Sequence, residues 1–206
     1  MPRDGTVTRT AILDAAEALV LKQGFGDSSV DSIIERAGIT KGTFFYHFKS
    51  KAELARTLIE RYAANDVEHM ERNFVRAEKL SRDPLQQVLI LIGLYQEEFS
   101  ELTEPHPGCL FAAYSYESQL FDEEVQELSR VTDLKWRARL GGKLEEVMKL
   151  YPPRMPVRAD DLAEMITVIF EGGFIQAKIM VEPQLIADQL EHYRNYLELL
   201  FSPPNN

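Results

Sequence analysis

The segment Thr40-Lys41-Gly42-Thr43-Phe44-Phe45-Tyr46-His47-Phe48-Lys49-Ser50-Lys51 places three lysines, one histidine and four aromatic rings within twelve residues. Cations and hydroxyls at this density suit phosphate oxygens and base edges rather than bond-making chemistry. Elsewhere His69, His106 and His192 stand far apart and show no paired metal-ligand spacing, so no metal and no cofactor is expected. There is no Gly-x-Ser-x-Gly elbow, phosphate-binding loop or dinucleotide fingerprint, and no catalytic residue stands out. An all-helical enzyme stays in view as the rival class, because Glu97, Glu98 and Glu117 are carboxylates that a fold can bring together.

The elements that must hold this segment are helical. A first helix is expected from about Arg9 to Lys22, with Ile12, Ala15, Ala16 and Leu19 on one face and Gly24 as a left-handed cap. A second starts after Ser28-Ser29 and carries the stripe Val30, Ile33, Ile34 and Ala37. Gly38-Ile39 turns the chain, Thr40 caps a third, short helix, and Ser50-Lys51-Ala52-Glu53 has the form of a capping box for a fourth. In the third helix Phe44 and Phe48 share a face and can pack on Ile12, Leu19, Ile33 and Ile34. That leaves Thr40, Lys41, Thr43, Tyr46 and His47 on the opposite side. Helix, glycine turn, short helix is the plan of a helix-turn-helix, whose second helix enters the major groove. The same pattern also serves as a solvated face over a core, and residue pattern alone leaves both uses open.

Longer helices follow: from Lys51 to about Leu80, with a bend expected near Asn65-Asp66, then near 84–103, 108–118, 121–150, 160–181 and 183–201. The expectation is an all-α chain of about nine helices, with a helix-turn-helix domain at 1–50 and a larger domain at 51–206. Charge divides similarly: residues 1–61 hold nine Lys/Arg and eight Asp/Glu, although the whole chain has 33 acidic against 23 basic residues and a formal charge of -10. A local cationic face is compatible with that balance, and a protein that coats nucleic acid everywhere is not. No apolar run reaches membrane-spanning length, no signal-peptide pattern opens the chain, and Cys109 is the only cysteine. A cytoplasmic location is expected, with no membrane partner.

The pattern Gly24-Phe25-x-x-Ser28-Ser29-Val30-x-x-Ile33-x-x-x-Ala37-Gly38-Ile39-Thr40-Lys41-Gly42-Thr43-Phe44-Phe45-Tyr46-His47-Phe48-Lys49-Ser50-Lys51-x-x-Leu54 closely resembles the signature of the tetracycline-repressor (TetR) family. The resemblance implies a bacterial homodimeric regulator with a double-stranded DNA operator and a small-molecule effector. It implies groove-facing roles for Thr40, Lys41, Gly42, Thr43 and Tyr46, and phosphate-holding roles for His47, Lys51 and either Ser28 or Ser29. The family usually has Leu-Tyr where this chain has Phe44-Phe45, so the hydroxyl that relatives carry at position 45 is missing.

For the rest of the chain, the resemblance implies a four-helix dimer interface from the last two helices, with Ile169, Gly172, Gly173, Phe174, Tyr193 and Leu197 as candidates. Closing the monomer core is the other use for those stripes. Candidate effector contacts are Phe74, Tyr95, Phe99, Phe111, Tyr114, Trp136 and Phe170, together with Cys109. Aromatic stripes of this kind equally build plain core. Cys109 stands at an expected helix start, where the dipole favours a thiolate; it reads either as an electrophile sensor or as a small buried hydrophobe. The function expected is a ligand-responsive transcriptional regulator, a repressor released by a small apolar or electrophilic molecule. The alternative is an all-helical binding protein or enzyme whose DNA-binding head is non-functional.

Overall fold

The computed structural model describes residues 5–202, and every regular element among them is helical, in keeping with the all-α expectation. Arg3, one of the nine basic residues within 1–61, lies outside the described residues, as do the outer limits 1 and 206 of the two expected domains. The helices are α1 (Gly5–Gln23), α2 (Val30–Ala37), α3 (Lys41–His47), α4 (Lys51–Leu80), α5 (Pro84–Ser100), α6 (Leu110–Tyr116), α7 (Glu123–Leu150), α8 (Ala159–Met180) and α9 (Leu185–Phe201). A 3-10 turn at Ser118–Leu120 separates α6 from α7. Helical hydrogen bonding continues through Asn65-Asp66, which lacks the proline or glycine that breaks a helix. Among the described residues, no helix is long and apolar enough to cross a membrane.

Two compact units form. The first reaches to Asn65 and includes Pro107–Arg130; the second takes Asp66–His106 and the chain from Val131 onward.

In the first unit, Ile12, Ala16, Leu19, Ile33, Phe44, Phe48, Leu58 and Ile59 are buried in one apolar cluster, with Leu110, Tyr114 and Val125 from the later segment joining them. Seven residues of α3 cannot hold a helix in water alone, so its stability comes from Phe44 and Phe48, both fully buried. Polar ties fix α1 to α4: the Arg61 guanidinium donates to Asp14 and Glu17, each at 2.6 Å.

In the second unit, α5 and α8 both pack on α9. Leu91, Ile92, Ile166, Ala177, Ile186, Leu190 and Leu197 are buried. The buried Tyr193 hydroxyl donates to the Leu162 carbonyl at 2.6 Å, joining α9 to α8. A side chain added at Gly173 would meet Ile186 at 3.0 Å, so this glycine lets α8 lie close to α9. Arg139 of α7 donates to Glu78 of α4 at 2.9 Å and lies 4.2 Å from the Phe74 ring centre.

Phe44→Ala should cost about 3–5 kcal/mol, because it removes a fully buried apolar anchor at the centre of α3. Urea denaturation followed by circular dichroism should show a lower midpoint, whereas exposed Tyr46→Ala should leave it nearly unchanged.

Candidate nucleic-acid interface

Local chemistry sets the entry and exit of each reading element. Ser29 is the N-cap of α2, its hydroxyl accepting from the Ser32 amide at 3.0 Å. Gly38 ends α2 in the left-handed region (φ 63°), which a side chain would strain, and the Ile39 amide closes the turn on the Ile34 carbonyl at 3.2 Å. The chain is thereby re-aimed within a single tight turn. Thr40 then caps α3, accepting from the Thr43 amide at 3.2 Å, and the two threonine hydroxyls lie 2.9 Å apart. The start of α4 differs slightly from a standard capping box: Ser50 accepts from the Glu53 amide, but the Glu53 carboxylate takes the Lys49 amide.

The outer face of α3 carries the groove-facing set expected from the sequence. Thr40, Lys41, Gly42 and Tyr46 are exposed, while Thr43 and His47 are half-buried. Tyr46 is 76% exposed, which leaves its ring and hydroxyl open to solvent on this face. Its edge-on neighbour is His47, with ring centres 5.1 Å apart. The Lys41 ammonium lies 3.4 Å from Asp31, both side chains wide open to water. Such a pair is weak and exchanges readily for another anion. Phe45 sets its ring edge-on to Phe44, with centres 5.3 Å apart.

Two phosphate candidates are placed differently. Ser28 is fully buried and its hydroxyl donates to the Gly24 carbonyl at 2.6 Å, so of the two serines Ser29 is the one open to solvent. Lys51 is half-buried, and its ammonium donates to the carbonyls of Phe25 (2.6 Å) and Gly26 (3.2 Å) while standing 4.2 Å from the Phe25 ring centre. Burial pushes its pKa down; nearby Glu117 and Asp27 oppose the shift.

A family model described as "Bacterial regulatory proteins, tetR family" matches residues 12–58, the stretch that builds α2, α3 and their supports. Over this segment the chain matches the TetR family. It is a helix-turn-helix protein of the DNA-binding, transcription-regulating kind. Over greater length it is similar to the "Transcriptional regulator AcuR" of Cereibacter sphaeroides, with 21% identity over 87% of this chain and 80% of that protein. It is also similar to the "HTH-type transcriptional repressor NemR" of Escherichia coli K12, with 22% identity over 92% of this chain and 94% of the relative. Among solved structures, a TetR-family transcriptional regulator from Agrobacterium tumefaciens superposes with a TM-score of 0.76 at 22% identity, over 97% of this chain and 100% of the other. That likeness establishes a TetR fold.

Beyond the TetR signature, the candidate effector residues fall into separate groups. In the second unit Tyr95, Trp136 and Phe170 meet one another with ring centres 5.4–6.0 Å apart, and Phe99 joins through Phe170 at 5.6 Å. The Trp136 indole donates to Asp66 at 2.7 Å. His106, which residue pattern does not single out as a member, stacks on Phe174 at 4.3 Å. Phe74 is buried beneath Arg139. Cys109, Phe111 and Tyr114 belong to the first unit. There Cys109 is the half-buried N-cap residue of α6, Phe111 packs edge-on against Tyr62, and the Tyr114 hydroxyl donates to the Ala55 carbonyl at 2.9 Å.

The dimer candidates also divide. Gly173, Phe174, Tyr193 and Leu197 are buried within the subunit, whereas Gly172 is exposed and Ile169 half-buried. The outward apolar stripe of α8 is instead Met165, Val168, Ile175 and Ile179, with Gly172 between. Its spacing alternates between three and four residues, the repeat of a helix-packing seam.

Two outcomes follow from this geometry. Lys41→Ala should relax preference at particular base pairs rather than weaken binding uniformly. Binding isotherms on matched and mutated sites check this, and equal weakening on every sequence would take Lys41 out of the groove-facing set. His106, whose pKa burial pushes down to about 4, is neutral in the folded chain and ordinary when unfolded. The unfolded state therefore binds the extra proton between those values, so this residue's contribution to stability falls as pH drops from about 6.5 towards 4. Urea midpoints of wild type and His106→Gln at pH 7 and pH 5 should show the wild type losing more on acidification at this position.

Proposed function

We propose that the chain is a ligand-responsive transcriptional repressor that acts as a homodimer in the cytoplasm on a two-fold symmetric DNA operator. The observation that carries this is the two-sided α3: fully buried phenylalanines behind, and Thr40, Lys41, Gly42 and Tyr46 presented to solvent in front. In this reading Thr40, Lys41, Gly42, Thr43 and Tyr46 meet the major groove, and Ser29 and His47 hold phosphates. Lys51 contributes by gripping backbone from within. Phosphate contacts set register, and base-edge contacts specify sequence.

One such head reads few base pairs, and a symmetric dimer makes half-site spacing part of the specificity. The second copy would cover the outward stripe of α8, where Val168 is 68% and Ile179 64% exposed. The effector, an apolar or electrophilic small molecule, would be recognised by the aromatic group of Tyr95, Phe99, Trp136 and Phe170. It acts as an inducer only by binding the DNA-incompetent arrangement more tightly, by a few kcal/mol. NemR is named a repressor, which supports the sign of control proposed here.

Selection of bound fragments from random and genomic DNA by the purified protein should yield one palindromic site, with affinity falling steeply as salt rises. Absence of any enriched sequence would remove the DNA-regulator reading. Val168→Glu, which places a charge in the proposed seam, should weaken dimerisation by about a hundredfold or more and lower operator affinity with it. Sedimentation equilibrium of the variant as an unchanged dimer would move the interface off α8.

A further inference from the structure

The turn between α1 and α2 is gripped from two sides by opposite charges. The Glu117 carboxylate accepts from the Phe25 amide at 2.8 Å and from the Gly26 amide at 2.6 Å. The Lys51 ammonium donates to the carbonyls of the same two residues. The polar atoms of Phe25 and Gly26 are therefore taken by charged side chains from elements outside the helix-turn-helix. Glu117 is well placed for this, because it is at once the C-cap residue of α6 and the N-cap residue of the 3-10 turn. Its backbone is fixed on both sides. Tyr114, three residues earlier, is anchored to Ala55 of α4 and stacks on Phe121 at 4.0 Å. Phe25 in turn packs against Phe121 at 4.9 Å and Tyr114 at 5.8 Å.

Gly24 completes the fit. Its φ of 84° suits glycine, and a side-chain carbon there would fall 2.3 Å from a Glu117 oxygen. The carboxylate thus occupies the space that any other residue at position 24 would need.

We infer that Glu117 is a positioning residue for DNA reading, fixing the turn from which α2 and α3 depart. Charge-assisted hydrogen bonds from a carboxylate to two backbone amides are among the stronger polar contacts available. This one sets the direction in which the chain enters α2, just ahead of the Ser29 cap. The reading head is therefore finished by residues 107–130 and is incomplete without them. The inference rests on the DNA-regulator reading above, and it assigns Glu117 neither to an effector site nor to DNA contact.

The test uses the full-length dimer and a fragment chosen by wild-type selection. Glu117→Ala should lower affinity for that fragment about tenfold or more, Glu117→Gln should fall between the two, and the salt slope should stay at the wild-type value. Affinities are taken well below the unfolding midpoint, with folding checked by circular dichroism. A carboxylate that acted only as bulk negative charge predicts the opposite sign, since its removal would strengthen binding to an anion. In amide nuclear magnetic resonance spectra, Glu117→Gln should move the Phe25 and Gly26 proton signals upfield, and this reads the grip directly even if Glu117→Ala unfolds. Wild-type affinity in folded Glu117→Ala and Glu117→Gln, tighter binding, or unmoved Phe25 and Gly26 signals would overturn the inference while leaving the regulator reading intact. Failure of wild type to select any DNA would overturn both.

Discussion

Burial of two phenylalanines beneath a seven-residue helix is the constraint on which the remaining architecture rests. A helix of that length loses more backbone entropy than its own hydrogen bonds return, so it exists only where its inner face is held. Phe44 and Phe48 supply that hold, four residues apart and fully enclosed in the cluster with Ile12, Leu19 and Ile33. Because both anchors point inward, the remaining side chains have no choice of direction. Thr40, Lys41 and Tyr46 face water for the same reason that the phenylalanines do not.

A rigid front is useful only if its approach is equally fixed. The caps supply part of this: Ser29, Gly38 and Thr40 set where each short helix begins or ends. Opposed charges on the α1–α2 turn supply the rest. Lys51 and Glu117 bind alternate polar atoms of the same two residues, so neither charge is left uncompensated in its partly buried setting. The acidic balance of the later chain thus includes at least one carboxylate with a structural duty near the cationic head.

Features set by neighbours in sequence are legible from residue order alone. Capping by Thr40 and the left-handed Gly38 follow from residue type and position, and so does the inward pairing of Phe44 with Phe48. Ser28 and Ser29 show the limit: both are good caps, and only the geometry of the turn decides that Ser29 caps while Ser28 is buried. The α8 helix shows another. It is apolar over more of its circumference than a one-sided helix needs, so periodicity cannot say which apolar residues meet α9 and which face outward. Adjacent glycines split accordingly, Gly173 against Ile186 and Gly172 open. Lys51 sits inside the family signature, where a cation suggests a phosphate, yet its ammonium is turned onto backbone. Glu117 leaves no local signal at all, since its partners lie 91 and 92 residues away.

That separation bears on how the protein is made. A ribosome delivers α1, α2 and α3 long before it delivers position 117, and domains generally take shape in the order in which they emerge. Here the earliest-synthesised helices must wait, with their entry turn held by Lys51 alone, until roughly seventy further residues have left the exit tunnel. A nascent chain stalled before that point would carry the family signature intact and still lack the carboxylate side of the grip, which closes only once synthesis has passed the middle of the chain.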